Sequence, residues 1–132
     1  MKPTPKSTLF VIEDDEAVRT SLQALLEIVG YTVASFAAGE EFLECADMHR
    51  GICAVLDVNL PGASGLEILK RLRDQGNAMP VVLVSGRTDQ RMRACAERLG
   101  ARALLEKPYE IDDLLALINA VDGSVTATSD AR

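Results

Sequence analysis

Three aspartates, a serine and a lysine stand at or just past the ends of apolar runs in this 132-residue chain. Asp14 and Asp15 follow Leu9-Phe10-Val11-Ile12, and Asp57 closes Ile52-Cys53-Ala54-Val55-Leu56. Ser85 closes Val81-Val82-Leu83-Val84, and Lys107 follows Ala103-Leu104-Leu105. Three carboxylates crowded together repel and raise one another's cost of ionisation, so such a cluster wants a cation. Hard carboxylate oxygens favour Mg²⁺, which takes octahedral oxygen ligands and keeps several waters. No histidine or cysteine stands among these residues, which argues against zinc. A carboxylate is also a nucleophile toward phosphorus, forming an aspartyl phosphate. That transfer needs a metal for the phosphoryl oxygens, a hydrogen-bond donor and a cationic group. Asp14 and Asp15, Ser85 and Lys107 supply those parts in that order.

Each residue has a plainer reading when taken alone. Asp57 could cap the turn before Pro61, and one of Asp14 and Asp15 could cap a helix. Ser85 alone reads as a turn residue and Lys107 as a solvated lysine. What the plainer readings explain poorly is the joint placement at four strand ends.

The elements that must position them follow in chain order. Leu9–Ile12 reads as a buried strand, and Val18, Leu22, Leu25, Leu26 and Val29 have helical spacing that closes at Gly30. Tyr31 to Phe36 alternates as a strand, and Gly39 to Ala46 carries Phe42 and Leu43 on a short helix. The uncharged run before Asp57 fits a strand buried on both faces. Leu66, Leu69 and Leu72 line a helix ending near Gln75-Gly76, and Pro80 to Val84 forms a fourth strand. A polar helix from Asp89 to Leu99, a short strand at Ala103–Leu105 and an amphipathic helix from Ile111 to Val121 complete the pattern. Five strand–helix units in alternation predict an α/β fold, a (βα)5 doubly wound parallel five-stranded sheet. The flavodoxin-like order 2-1-3-4-5 is the leading arrangement, with ligands gathered at the carboxyl ends of the strands. Residues 8–121 are expected to form the domain, with 1–7 an N-terminal extension and 122–132 a flexible tail or linker start.

Composition narrows the class. Twenty acidic against fourteen basic side chains leave a formal charge of −6, which disfavours a phosphate-binding nucleic-acid surface on this domain. Cys45, Cys53 and Cys95 are odd in number and lack CxxC spacing; with Cys53 in an apolar strand and Cys95 on a helix, packing thiols are favoured over ligands or bridges, in keeping with a reducing cytoplasm. No segment is long and apolar enough to span a membrane, and the N-terminus lacks a signal-peptide core. Neither GxxxxGK[ST] nor GxGxxG occurs, so ATP or NAD binding is unsupported. His49, the only histidine, reads as a surface residue on the turn before the Asp57 strand.

Val11-Ile12-Glu13-Asp14-Asp15-Glu16, Leu56-Asp57-Val58-Asn59-Leu60-Pro61-Gly62, Val84-Ser85-Gly86 and Glu106-Lys107-Pro108-Tyr109 together resemble the receiver domain of bacterial two-component response regulators. The wording is most similar to regulators of the nitrogen-fixation type, in which a receiver precedes a helix-turn-helix DNA-binding domain. The resemblance implies that Asp57 is the phosphoacceptor, charged from a phosphohistidine on a sensor histidine kinase. It implies Mg²⁺ held by Asp14, Asp15 (the more direct of the two), Asp57 and the backbone carbonyl of Asn59. Lys107 would pair with the phosphoryl oxygens, and Ser85 would move to hydrogen-bond one of them. The Lys107–Pro108 bond would be cis, a form that proline makes accessible. The implied output is a change in the surface of the fourth helix, fifth strand and fifth helix, commonly used for a homodimer. Arg91, Arg93, Glu97, Arg98, Arg102, Asp112 and Asp113 would supply charges there. The protein would be a signalling phosphoacceptor that assists its own transfer, not an enzyme.

One position departs from the family pattern. Three residues before the lysine the family often has Tyr or Phe, and here stands Leu104, which has no phenol to bury or expose. Weaker or differently routed coupling to the output face is expected. Two other readings compete. A small aspartyl-phosphate phosphohydrolase commonly has an acid–base aspartate two residues after the nucleophile, where this chain has Asn59. A non-phosphorylated interaction module would be favoured by loss of the acidic residues, and all are present.

Overall fold

The computed structural model describes residues 8–122. The expectations for residues 1–7 and 123–132 lie outside them. Five strands form one sheet in the order β2-β1-β3-β4-β5, and every pairing is parallel. They are β1 (Thr8–Ile12), β2 (Thr32–Phe36), β3 (Gly51–Asp57), β4 (Val81–Ser85) and β5 (Ala103–Glu106). The helices are α1 (Glu16–Val29), α2 (Gly39–Cys45), α3 (Gly65–Asp74), α4 (Gln90–Arg98) and α5 (Ile111–Val121). A single 3₁₀ turn, Met48–Arg50, carries the exposed His49 into β3. The expected fold class and strand order are therefore the observed ones, with element ends displaced by a residue or so.

The three central strands are buried along their whole length, which is why they read as continuous apolar runs. Their side chains alternate between two cores. Phe10, Ile12, Ala54, Leu56, Val81 and Leu83 meet Phe42 of α2, Ile68, Leu69 and Leu72 of α3, and Ala96 of α4. Leu9, Val11, Cys53, Val55, Val82 and Val84 meet Leu26 of α1 and Leu114 and Ile118 of α5. Phe10 and Phe42 touch edge to face at 5.4 Å, and Phe36 closes an aromatic trio. Each fully buried Leu or Phe contributes about 1.5–3 kcal/mol by leaving water. α1 and α4 each bury a single residue completely, Leu26 and Ala96.

Caps set where the helices start. Asp15 accepts from the Val18 N–H at the head of α1, Asp89 from Met92 at the head of α4, and Ser64 and Glu67 form a capping box on α3. Arg73 acts as a staple on the far edge, donating to the carbonyls of Asn77, Met79, Leu99 and Gly100. Burial pushes the Cys53 thiol up to about 12, so it is an inert packing group. Cys95 is half-buried and Cys45 is exposed. Asp122, expected to begin the tail, is buried as the C-cap of α5.

The turn from β3 into α3 depends on Gly65. A Cβ there would lie 2.3 Å from the Asp57 carbonyl oxygen and 2.8 Å from the Val58 Cα. Only glycine lets α3 start against the end of β3. A Cβ at Gly86 would meet nothing within 4 Å. Gly65→Ala is expected to lower unfolding free energy in urea by about 1–3 kcal/mol. Gly86→Ala should stay within about 0.5 kcal/mol of the parent.

Candidate functional site

The sheet reverses its winding between β1 and β3, and the crevice outside their carboxyl ends is where such folds bind ligands. Ile12 pairs with Leu56, so Glu13 and Asp57 come next on two adjacent strands. Lys107 joins them from the end of β5. Its Nζ donates to Asp57 Oδ2 at 2.9 Å and to Glu13 Oε1 at 3.1 Å. The Asp57 and Glu13 side chains are 6 % and 8 % exposed, and that of Lys107 is 33 % exposed. Asp57 Oδ1 accepts from the Asn59 N–H at 2.9 Å, and Glu13 Oε2 accepts from the Asp15 N–H at 3.0 Å.

The electrostatics follow from that packing. Burial raises the Glu13 pKa, and the neighbouring Asp57 adds to the rise, against the Asp15 N–H and Lys107. Burial works to lower the Lys107 pKa, but its bonds to Asp57 and Glu13 outweigh this, and the net shift is upward. The ammonium therefore stays charged between its two carboxylates. Burial also raises the Tyr109 phenol, whose ring lines a cavity of about 310 Å³ with Val18, Leu22, Val55, Pro108, Asp57 and Lys107. The Lys107–Pro108 bond is cis, as the resemblance implied.

The carboxylates that converge are Glu13, Asp14 and Asp57, each offering an oxygen within 4.8 Å of the others. Asp15, expected as the more direct ligand, does not join this group. Its oxygen caps α1 at Val18 N–H, 3.0 Å away, so it faces the helix and not the crevice. The oxygen-only donor set of Glu13, Asp14 and Asp57 fits a hard divalent cation such as Mg²⁺. Glu13 was missed because it reads as part of an acidic run. The available sign was its position as the first residue after the apolar strand.

Ser85 is fully buried at the end of β4, and Asn59 is exposed. The Ser85 hydroxyl donates to the Arg87 carbonyl at 2.7 Å and accepts from the Arg87 N–H at 3.2 Å. Two further residues hold the loops that carry the site. Arg19 on α1 donates to the carbonyls of Glu13 at 2.9 Å and Asp14 at 3.4 Å. Glu40 on α2 accepts from the Ala63 N–H at 3.0 Å, beside Gly62, whose φ of +74° suits glycine. That bond lowers the Glu40 pKa, helped by its own backbone N–H. Neither residue has a sequence signature, because each acts on a loop from another element.

A doubly wound parallel sheet with an acid cluster and a bridging lysine at its switch point defines a flavodoxin-like domain. The sequence profile of the response regulator receiver domain matches residues 9–119, and the chain belongs to that family. The transcriptional regulatory protein FixJ of Bradyrhizobium diazoefficiens is 38 % identical over 117 residues, covering 89 % of this chain and 57 % of that protein. The transcriptional regulatory protein TdiR of Thauera aromatica is 37 % identical over 86 % of this chain and 50 % of its own. The chain thus spans about half the length of these relatives. The crystal structure of FixJ-N superposes with a TM-score of 0.80 at 31 % identity, covering 92 % of this chain and 95 % of that one. A CheY-like receiver from Methanospirillum hungatei gives 0.83 at 25 % identity over 92 % of this chain and 98 % of its own.

Two outcomes test the site's construction. Asp14→Asn should weaken Mg²⁺ binding, followed by amide shifts. Asp15→Ala should leave Mg²⁺ binding nearly intact and cost about 0.5–2 kcal/mol of stability as a lost cap. For Glu40, the lowered native pKa means stability that is present above its ordinary value of 4.5 and lost as pH falls through the native value. Urea midpoints taken across that window should fall less in Glu40→Gln than in the parent.

Proposed function

We propose that this chain is the phosphoacceptor module of a two-component regulator, with Asp57 taking a phosphoryl group from a phosphohistidine on a sensor kinase. The observation that carries the reading is the Lys107 ammonium on Asp57 Oδ2, beside the carboxylates of Glu13 and Asp14. An Asp57 oxygen attacks phosphorus, the P–N bond to the donor imidazole breaks, and the ring keeps that electron pair. Lys107 pairs with a phosphoryl oxygen, and the Ser85 hydroxyl turns to donate to another. Glu13, Asp14, Asp57 and the backbone carbonyl of Asn59 would hold Mg²⁺, which when bound neutralises phosphoryl charge. The phosphoryl group brings about −1.5 to −2 charges and three acceptor oxygens into a site that already holds acidic groups. It can therefore settle only as cationic and donor groups turn to meet it, and that rearrangement is the signal.

The output reading follows from the chain's length and surface. FixJ and TdiR are transcriptional regulators about twice the span matched here, so a further output domain would act on transcription. The charged residues of α4, β5 and α5 named above are all exposed, which suits a homodimer through that face. With a charge of −6, this domain would not itself bind nucleic acid. Among the described residues no helix is long and apolar enough to cross a membrane, and a cytoplasmic regulator suits a kinase-fed acceptor. Asn59 has an amide where a phosphohydrolase would need an acid–base group, so hydrolysis of an external substrate is not favoured.

Incubation with Mg²⁺ and acetyl phosphate should add one phosphoryl group by intact mass. Asp57→Asn or omission of magnesium should abolish the adduct. No adduct on a folded protein, together with no beryllofluoride binding, would leave the interaction-module reading in its place.

A further inference from the structure

The switch serine is held from two directions. A hydroxyl has one proton to donate. Ser85 gives its proton to the Arg87 carbonyl, so it cannot reach a phosphoryl oxygen without releasing that bond. Beyond Arg87 the same loop is tied again, to a different strand. The Thr88 hydroxyl donates to Glu106 Oε1 at 2.6 Å and accepts from an Arg93 guanidinium nitrogen at 2.5 Å. Arg93 also lies 3.9 Å from Glu106 Oε1. Glu106 stands opposite Ser85 in the β4–β5 pairing and directly precedes Lys107. Three residues thus connect the switch loop, the first turns of α4 and the strand that carries the lysine.

We propose that Thr88, Glu106 and Arg93 form a latch that keeps Ser85 in its unswitched position and conveys its release to α4. The Glu106 and Arg93 side chains are 54 % and 57 % exposed, so their ion pair alone is worth little. What gives the latch its effect is its geometry, since Thr88 fixes the loop one residue beyond the carbonyl that Ser85 must release. While Thr88 stays on Glu106, Arg87 stays beside Ser85. Leu104 packs into the core cluster that includes Ala96 and offers no hydroxyl, so a polar link of this kind would take over the coupling. On α4 itself only Ala96 is buried, and Arg93 ties its exposed face to the loop and to β5.

This inference rests on the phosphoacceptor reading, and beryllofluoride, a phosphoryl mimic, separates the two. In the parent protein with Mg²⁺, beryllofluoride binding is measured by amide shifts, and the same titration is run on Thr88→Val, Glu106→Ala, their double variant and Thr88→Ser. The latch predicts tighter binding by about three- to tenfold in Thr88→Val and in Glu106→Ala. The double variant should be no tighter than either alone, and Thr88→Ser should return to the parent value. A merely structural role would loosen binding or leave it alone. Unchanged or weaker binding in both single variants overturns the latch, as do additive effects in the double. If the parent binds no beryllofluoride and takes no phosphoryl group, the phosphoacceptor reading has failed. The latch is then decided by relaxation dispersion of the Gly86–Asp89 amides without ligand, where Thr88→Val must increase exchange and an unchanged profile overturns it.

Discussion

The structure turns on one ammonium group held between two nearly buried carboxylates. Removing Glu13 and Asp57 from water is costly, and the cost is tolerable because Lys107 reaches both oxygens. Backbone N–H groups of Asp15 and Asn59 take the remaining oxygens. Among the described residues no buried side-chain nitrogen or oxygen is left without a partner. The site is thereby polar and short of positive charge, with three carboxylates against one ammonium, which is the condition a bound cation would relieve.

Everything else serves to bring three strand ends to one place. The parallel sheet sets the register of β1 against β3, and two apolar cores grip the strands from both faces. The loops beyond the strand ends have no core of their own, and side chains from neighbouring helices hold them instead. Arg19 secures the loop of Glu13 and Asp14, and Glu40 secures the turn after Asp57. Glycine at position 65 lets α3 begin against the Asp57 carbonyl. The strands are thus fixed by the two cores, and the loops by a few side-chain ties.

The α4–β5 side of the molecule is built differently. α4 and β5 are half-exposed, joined through Thr88, Arg93 and Glu106, and contribute few fully buried side chains. Membership of the receiver family explains the acid cluster, the lysine and the fold. It does not explain this polar connection, which stands in a chain that has Leu104 where an aromatic ring is common in the family.

Periodicity and strand-end chemistry determined a good deal unaided. Continuous apolar runs marked the central strands because both faces are covered, and alternation of strands with helical spacing required parallel crossovers. Asp57 and Lys107, which the fold brings to 2.9 Å, were legible because they stand at or just past strand ends. Which acidic residue faces the crevice was not legible in Glu13-Asp14-Asp15-Glu16. Only the register of β1 with β3 directs Glu13 toward Asp57, and only the start of α1 turns Asp15 away to cap it. Arg19, Glu40 and the Thr88–Glu106–Arg93 link were invisible for the same reason. Their partners are backbone groups and side chains brought near by the fold, and spacing along a chain encodes contacts within an element, not contacts between elements.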